Sequence, residues 1–178
     1  GIDKPIEIGK LQRFAIEQEK IYGMKTLKAP EEKKALKAAC IGSGPASLAC
    51  AASLAQAGYE VTIFEEEEKA GGVLTYGITP ARLPQEVVDY DISMVEGLGV
   101  KFKFNTRVGK DITIEELKKE FAAIFVGTGL WNAKLPDIKG KDLDGVMTAI
   151  DFLKKARKGN GSYKPEGKVV VIGGGDVA

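Results

Sequence analysis

The sequence contains no histidine. That absence removes every imidazole general base, every histidine metal ligand and every Ser–His or Cys–His nucleophile pair. Cysteine is almost missing too. Cys40 and Cys50 are the only two, and their spacing makes neither a C-x-x-C pair nor a zinc-type set. Both are expected to be free core thiols, one in a strand and one in the helix after it. No sign of charge dominates: 26 Lys+Arg against 25 Asp+Glu gives +1. Such a balance provides no electrostatic footprint for nucleic acid or for a membrane surface. No apolar run approaches the roughly 20 residues that a membrane span needs. The chain opens Gly-Ile-Asp, without an initiator methionine or a charged-then-apolar leader pattern, and the expected setting is cytoplasmic. Internal repeats and low-complexity tracts are lacking. With no acid, base, nucleophile or metal ligand to single out, redox or transfer chemistry must be carried by a cofactor.

What is present is an alternation of two kinds of segment, with 44% hydrophobic residues to supply a core. "IEIGKLQRFAIEQEKIYG" reads as an amphipathic helix, with Leu11, Phe14, Ala15 and Ile21 at helical spacing and Gly23 as its stop. A charged linker with Pro30 follows. Residues 37–42 form a short apolar strand, 45–57 an Ala-rich helix, and 59–65 a strand rich in β-branched and aromatic residues. The glycines and prolines of 69–84 predict mostly loop. Pro84 opens a helix whose buried face is Val87, Val88, Ile92, Val95 and Leu98. "VKFKFNT" alternates as a half-buried strand. Thr113 to Glu116 is a capping box, and 122–129 reads as a buried strand ending in a glycine turn. Thr148 starts a helix running to about Lys158, and the stretch 167–178, an apolar strand running into a glycine turn, closes the pattern. The expected class is α/β, with a mostly parallel, Rossmann-like sheet between helices.

The densest signal is "CIGSGPASLACAASLAQAGYEVTIFE". Gly42, Gly44 and Ser47 fill a G-x-G-x-x-G/A spacing between strand and helix. The first allows the tight turn, the second lets backbone approach a pyrophosphate, and the third must be small for helix and strand to pack. The helix N-terminus offers unpaired N–H groups and partial positive charge to phosphate. Glu65 ends the second strand, where a carboxylate can accept from both hydroxyls of a ribose. The acids that follow, Glu66 to Glu68, read as a solvated face and disfavour a 2′-phosphate at this site.

Three further stretches carry a resemblance. The Gly71-Gly72 pair soon after the acid, together with "VGTG" at 126–129, looks like the two-dinucleotide-binding-domain flavoproteins. "GGVLTYGITPARLP" resembles the G-G-L-L-x-Y-G-I-P-x-x-R-L-P pattern of the glutamate synthase small-subunit group, which includes the flavin domain of dihydropyrimidine dehydrogenase. "KVVVIGGGDVA" is similar to the opening of that group's NAD(P)H domain. The resemblance runs collinearly along nearly the whole chain and departs at Thr79-Pro80, one place from the usual Ile-Pro.

The resemblance implies FAD as cofactor, with Ser43, Gly44, Pro45, Ala46 and Ser47 at its pyrophosphate and Glu65 at its ribose. Gly71, Gly72 and Val73 would pass near the flavin side, Arg82 would contact FAD, and Val108 would meet the adenine. Thr128 and Gly129 form the later turn. Gly174, Gly175, Asp176 and Val177 would touch NAD(P)H. Implied too is a division of the chain. Residues 1–36 would lead from an iron–sulfur domain, 37–165 would be an incomplete FAD-binding domain, and 166–178 would begin a truncated NAD(P)H domain. The parent would be an NAD(P)H-dependent oxidoreductase handing electrons to iron–sulfur centres, or to a large subunit of a complex. Iron–sulfur clusters would belong to the upstream region alone. Three other readings stay open. A disulfide reductase would need a paired redox thiol, a plain NAD-dependent dehydrogenase would use the first turn only, and a non-catalytic FAD or nucleotide module would assemble with a complex.

Overall fold

The computed structural model describes residues 5–24, 26–159 and 161–175. Ten elements follow one another: α1 (Ile8–Tyr22), β1 (Lys37–Ile41), α2 (Pro45–Gln56), β2 (Glu60–Phe64), α3 (Val73–Tyr76), α4 (Gln85–Glu96), β3 (Lys101–Lys103), α5 (Ile114–Glu120), β4 (Ala123–Val126) and α6 (Ala149–Lys158). The four strands form one wholly parallel sheet in the order β3-β2-β1-β4. This is the Rossmann-like α/β architecture expected of the sequence.

Strand alternation sorts the core onto the two faces of that sheet. Cys40, Val61 and Ile63 point to one face, under Leu48, Ala51 and Ala55 of α2 and Val88, Ile92 and Val95 of α4. Ala39, Ile41 and Phe64 point to the other, against Leu117 and Phe121 at α5. The Phe64 and Phe121 rings meet edge to face, 5.7 Å between centroids. Because β1 and β2 are covered on both faces, their buried stretches, Ala38 to Ile41 and Val61 to Phe64, read as near-continuous apolar runs interrupted by Thr62. The Ala-rich sequence of α2 lets it lie close on β1 and β2. The capping box of α5 is formed: the Thr113 hydroxyl accepts from Glu116 N–H, and the Glu116 carboxylate accepts from Thr113 N–H at 2.8 Å.

The structure corrects several expectations. The stretch 69–84 is not all loop, since Val73–Tyr76 makes a helical turn. Val87, expected inside, is 43% exposed on α4. Strand β4 forms but is not buried: it is an edge strand bonded to β1 alone, and Val126 is 64% exposed. Leu11, Phe14 and Ile21 of α1 face outward. Gly23 does close that helix, in the left-handed region at φ 63°. Residues 168–172, expected as a strand, pair with none of the described residues, and Val169 to Ile172 are exposed. An apolar run becomes a strand only where a neighbour takes its N–H and C=O groups. Among the described residues, no helix is long and apolar enough to cross a membrane.

Candidate functional site

The strand order fixes where a site can form. From β1 the chain steps outward through β2 to β3, then returns to lay β4 on the other side of β1. The connections leaving β1 and β4 therefore diverge at their carboxyl ends, the place where open parallel sheets bind ligands. A cleft of about 750 Å³ opens there.

Its floor is the turn after β1. Gly42 sits at φ +86°, and a Cβ on it would lie 2.6 Å from the Gly127 carbonyl oxygen. Only glycine joins that conformation to that proximity. Gly44 is the N-cap of α2, without a side-chain cap, and a Cβ built on it meets nothing within 4 Å. Above it, therefore, is open space. Pro45 occupies the first helical position, where a missing N–H costs nothing, and Ala46 follows. The remaining first-turn amides have no intrahelical acceptor. Ser47 is fully buried beneath this floor, against Gly127 of the turn after β4. Its hydroxyl has no hydrogen-bond partner among the described residues. Small residues at 47 and 127 together let α2 approach β4.

Ser43 ties three segments together. Its N–H donates to Glu65 Oε2 at 2.8 Å, and its hydroxyl lies 2.5 Å from the same oxygen. Its carbonyl accepts from the Gly71 N–H at 3.0 Å. Glu65 is 6% exposed, and its other oxygen accepts from Glu67 N–H at 2.9 Å. The acid at the end of β2 lines the cleft, then, with one oxygen engaged by the glycine turn and the other by its own loop. Gly72, at φ +55°, brings the loop after β2 so near that a Cβ would be 2.8 Å from Gly44 Cα. Val73 and Tyr76 of α3 continue that wall. Tyr76 is buried, its hydroxyl accepts from Lys69 N–H, and burial first of all pushes its pKa up to about 12.

The remaining walls include groups the sequence did not single out. Arg107 lies beside Val108, and its guanidinium is 3.6 Å from Glu66. From α6, Ile150 and Lys154 reach the cleft. Lys154 Nζ bonds Glu67 at 2.7 Å, and Lys158 bonds the same carboxylate at 2.5 Å. Burial raises the Glu67 pKa, but the two lysines outweigh it and hold the carboxyl below its ordinary value. Arg157 fastens α6 further, donating to the Thr75 carbonyl at 2.7 Å. Past Thr128 and Gly129, Trp131 lines the cleft under Lys154, whose ammonium is 4.9 Å from the ring centroid.

Of the residues expected at a site, Gly42, Ser43, Gly44, Pro45, Ala46, Glu65, Gly72, Val73, Val108, Thr128 and Gly129 meet in this one cleft. Ser47 and Gly71 lie just behind it. Arg82 does not line it. Gly174 and Gly175 stand apart on the exposed C-terminal stretch, and Asp176 and Val177 lie outside the described residues. Trp131 could have been found as the single tryptophan, two residues past a glycine turn. Lys154 had no such signal, because only the docking of α6 brings it to the cleft. Among the described residues, no cluster of Cys, Asp and Glu could hold a metal ion. Cys40 is buried and Cys50 partly so, and neither lines the cleft.

Known proteins resemble the chain in sequence and in shape. It is 43% identical, over its full length, to the NAD-dependent dihydropyrimidine dehydrogenase subunit PreT of Escherichia coli, of which it covers 42%. Over 98% of its length it is 38% identical to the Glutamate synthase [NADPH] small chain of Bacillus subtilis, covering 37% of that protein. The chain thus spans less than half the length of these relatives. In three dimensions, FprA of Mycobacterium tuberculosis, solved in complex with NADPH, superposes with a TM-score of 0.62 at 25% identity, over 68% of this chain and 28% of that one. Residues 36–178 match the family model for pyridine nucleotide-disulphide oxidoreductases, and it is to that family, with its glycine turn at a parallel-sheet switch point, that the chain belongs.

Proposed function

We propose that the cleft holds FAD, and that the chain is the flavin-binding part of an NAD(P)H-dependent oxidoreductase. One observation carries this reading. At the switch point the floor is bare backbone at the N-terminus of α2, with open space over Gly44 and a partnerless buried hydroxyl at Ser47 behind it. A diphosphate fits such a floor, because α2 presents unpaired amides and a positive dipole end while no side chain intrudes. Gly42 to Ser47 would hold the pyrophosphate. Glu65 would meet the ribose while keeping Ser43 in place, and Val108 would lie at the adenine. Gly71, Gly72 and Val73 would border the flavin side, with Thr128 and Gly129 closing over the opposite edge, and Arg82 would approach from the loop before α4.

When bound, FAD supplies the ability to take a hydride and release electrons singly; the chain's own residues supply binding, orientation and exclusion of water. We place residues 1–36 as a lead-in from an upstream iron–sulfur domain, 37–165 as the FAD-binding domain and 166–178 as the start of an NAD(P)H domain. Electrons would leave toward iron–sulfur centres or a partner subunit. The names of the relatives, which are subunits of NAD- and NADPH-linked oxidoreductases, support that assignment. Balanced charge and two unpaired thiols support a cytoplasmic setting.

Titrating the chain with FAD and following the quenching of flavin fluorescence tests the proposal. The control is Gly44→Val, whose side chain enters the open space over the floor. The expected result is saturable binding by the parent chain and at least roughly tenfold weaker binding by the variant, with little change in circular dichroism. No binding by the parent, or equal binding by Gly44→Val, overturns it.

A further inference from the structure

We propose that Trp131 is the wall on which the adenine base of the bound nucleotide stacks, with Lys154 fixing the indole for that purpose. The inference rests on the nucleotide reading above and assigns a residue that reading leaves without a role. Trp131 is the single tryptophan of the chain, and it faces the cleft rather than the core. It is half-buried although it stands on an irregular segment, next to Leu130, which is fully exposed. Something therefore holds the ring against the protein while its neighbour is free. That something is Lys154. Its ammonium lies 4.9 Å from the indole centroid and is anchored by Glu67 at 2.7 Å, with Glu66 at 3.8 Å.

A cation pinned over one face of an indole restrains the ring at no cost in apolar surface on its other side. The pinning carboxylates belong to the loop directly after β2, whose first member is Glu65, the acid that closes the turn. The clamped ring is thus at the acid end of the cleft, where a sugar and the base attached to it would lie. Arg107, paired with Glu66, lies at the same end. A flat ring held by a cation over one face, beside a carboxylate cluster, suits the face of an aromatic base and suits a bare phosphate poorly.

Indole fluorescence and nucleotide binding test this directly. ADP and inorganic pyrophosphate are titrated into the whole chain, its Trp131→Phe variant and its Trp131→Ala variant. Intrinsic fluorescence is read in the parent, and calorimetry in all three. The expected result is that ADP quenches Trp131 and that Trp131→Ala binds ADP at least fivefold, and up to roughly 100-fold, more weakly. Trp131→Phe should stay within about threefold of the parent, since it keeps an aromatic face. Pyrophosphate should bind all three alike.

If Trp131→Ala holds ADP as tightly as the parent, the stacking role is refuted while nucleotide binding stands. If Trp131→Ala loses ADP and pyrophosphate equally, Trp131 merely supports the wall, and the proposal fails. If the parent binds neither ADP nor FAD, the nucleotide reading itself fails and takes this inference with it.

Discussion

Replacing Gly127 by alanine probes the close packing of α2 on β4 that the fingerprint's third position was expected to serve. The new Cβ would collide with Ser47 Oγ, and would lie 2.9 Å from Phe125 Cε1 and 3.4 Å from Ser47 Cβ. Phe125 can swing its ring, because it stands on the open edge of the sheet. Ser47 has little room to give, being fully buried in the first turn of α2. The collision falls on the hydroxyl, so Gly127→Ala should cost about 1–3 kcal/mol, as overpacking of a close contact does. Ser47→Ala alone should stay within about 1 kcal/mol of the parent, since that hydroxyl has no described partner to lose. The double variant keeps the Phe125 approach, which the edge ring can relieve by turning, and the Cβ–Cβ approach at 3.4 Å, an ordinary contact. It should recover at least about 1 kcal/mol relative to the sum of the singles. Urea unfolding of the four ligand-free chains, followed by circular dichroism, measures all of this. The reasoning is wrong if Gly127→Ala unfolds at the parent's midpoint, or if the two changes simply add.

Two further outcomes are expected. Glu67, held below its ordinary pKa of 4.5 by Lys154 and Lys158, stabilises the fold fully above that value and loses the effect as pH falls through its lower folded pKa. Thermal unfolding of Glu67→Gln should therefore show a flatter acid limb than the parent, and identical limbs would refute the pairing. Burial, and then Cys50, push the Cys40 thiol up to about 12, so an alkylating probe near neutral pH should miss Cys40 until the chain is denatured. Mass mapping of the labelled peptides checks it, and native labelling of Cys40 would count against its burial.

The first strand, glycine turn, helix and second strand were legible because local needs dictate them. Gly42 needs a positive φ, Ser47 must be small, and the apolar runs of β1 and β2 admit little but a buried parallel strand. The capping box at Thr113 was equally local. What was misread depends on neighbours. β4 has the composition of a covered strand, but composition does not say which strand lies at an edge. Residues 168–172 have strand residues without a strand beside them. The apolar positions of α1 follow a helical period, yet period alone does not supply a surface to cover them. At the cleft, eleven expected residues converge because the segments that follow β1, β2, β3 and β4 share one end of the sheet. Lys154 was invisible because its carboxylate partners lie some ninety residues away along the chain, joined to it only when α6 docks.

Ser43 leaves a mechanical legacy in this architecture. Its amide, hydroxyl and carbonyl are all committed, to Glu65 on one side and Gly71 on the other. A displacement of either segment would drag the residue that links them, so bottom and flank behave as one rigid piece. A visitor to such a surface need not arrange its host, and the entropy of ordering that corner has been settled during folding rather than charged against affinity.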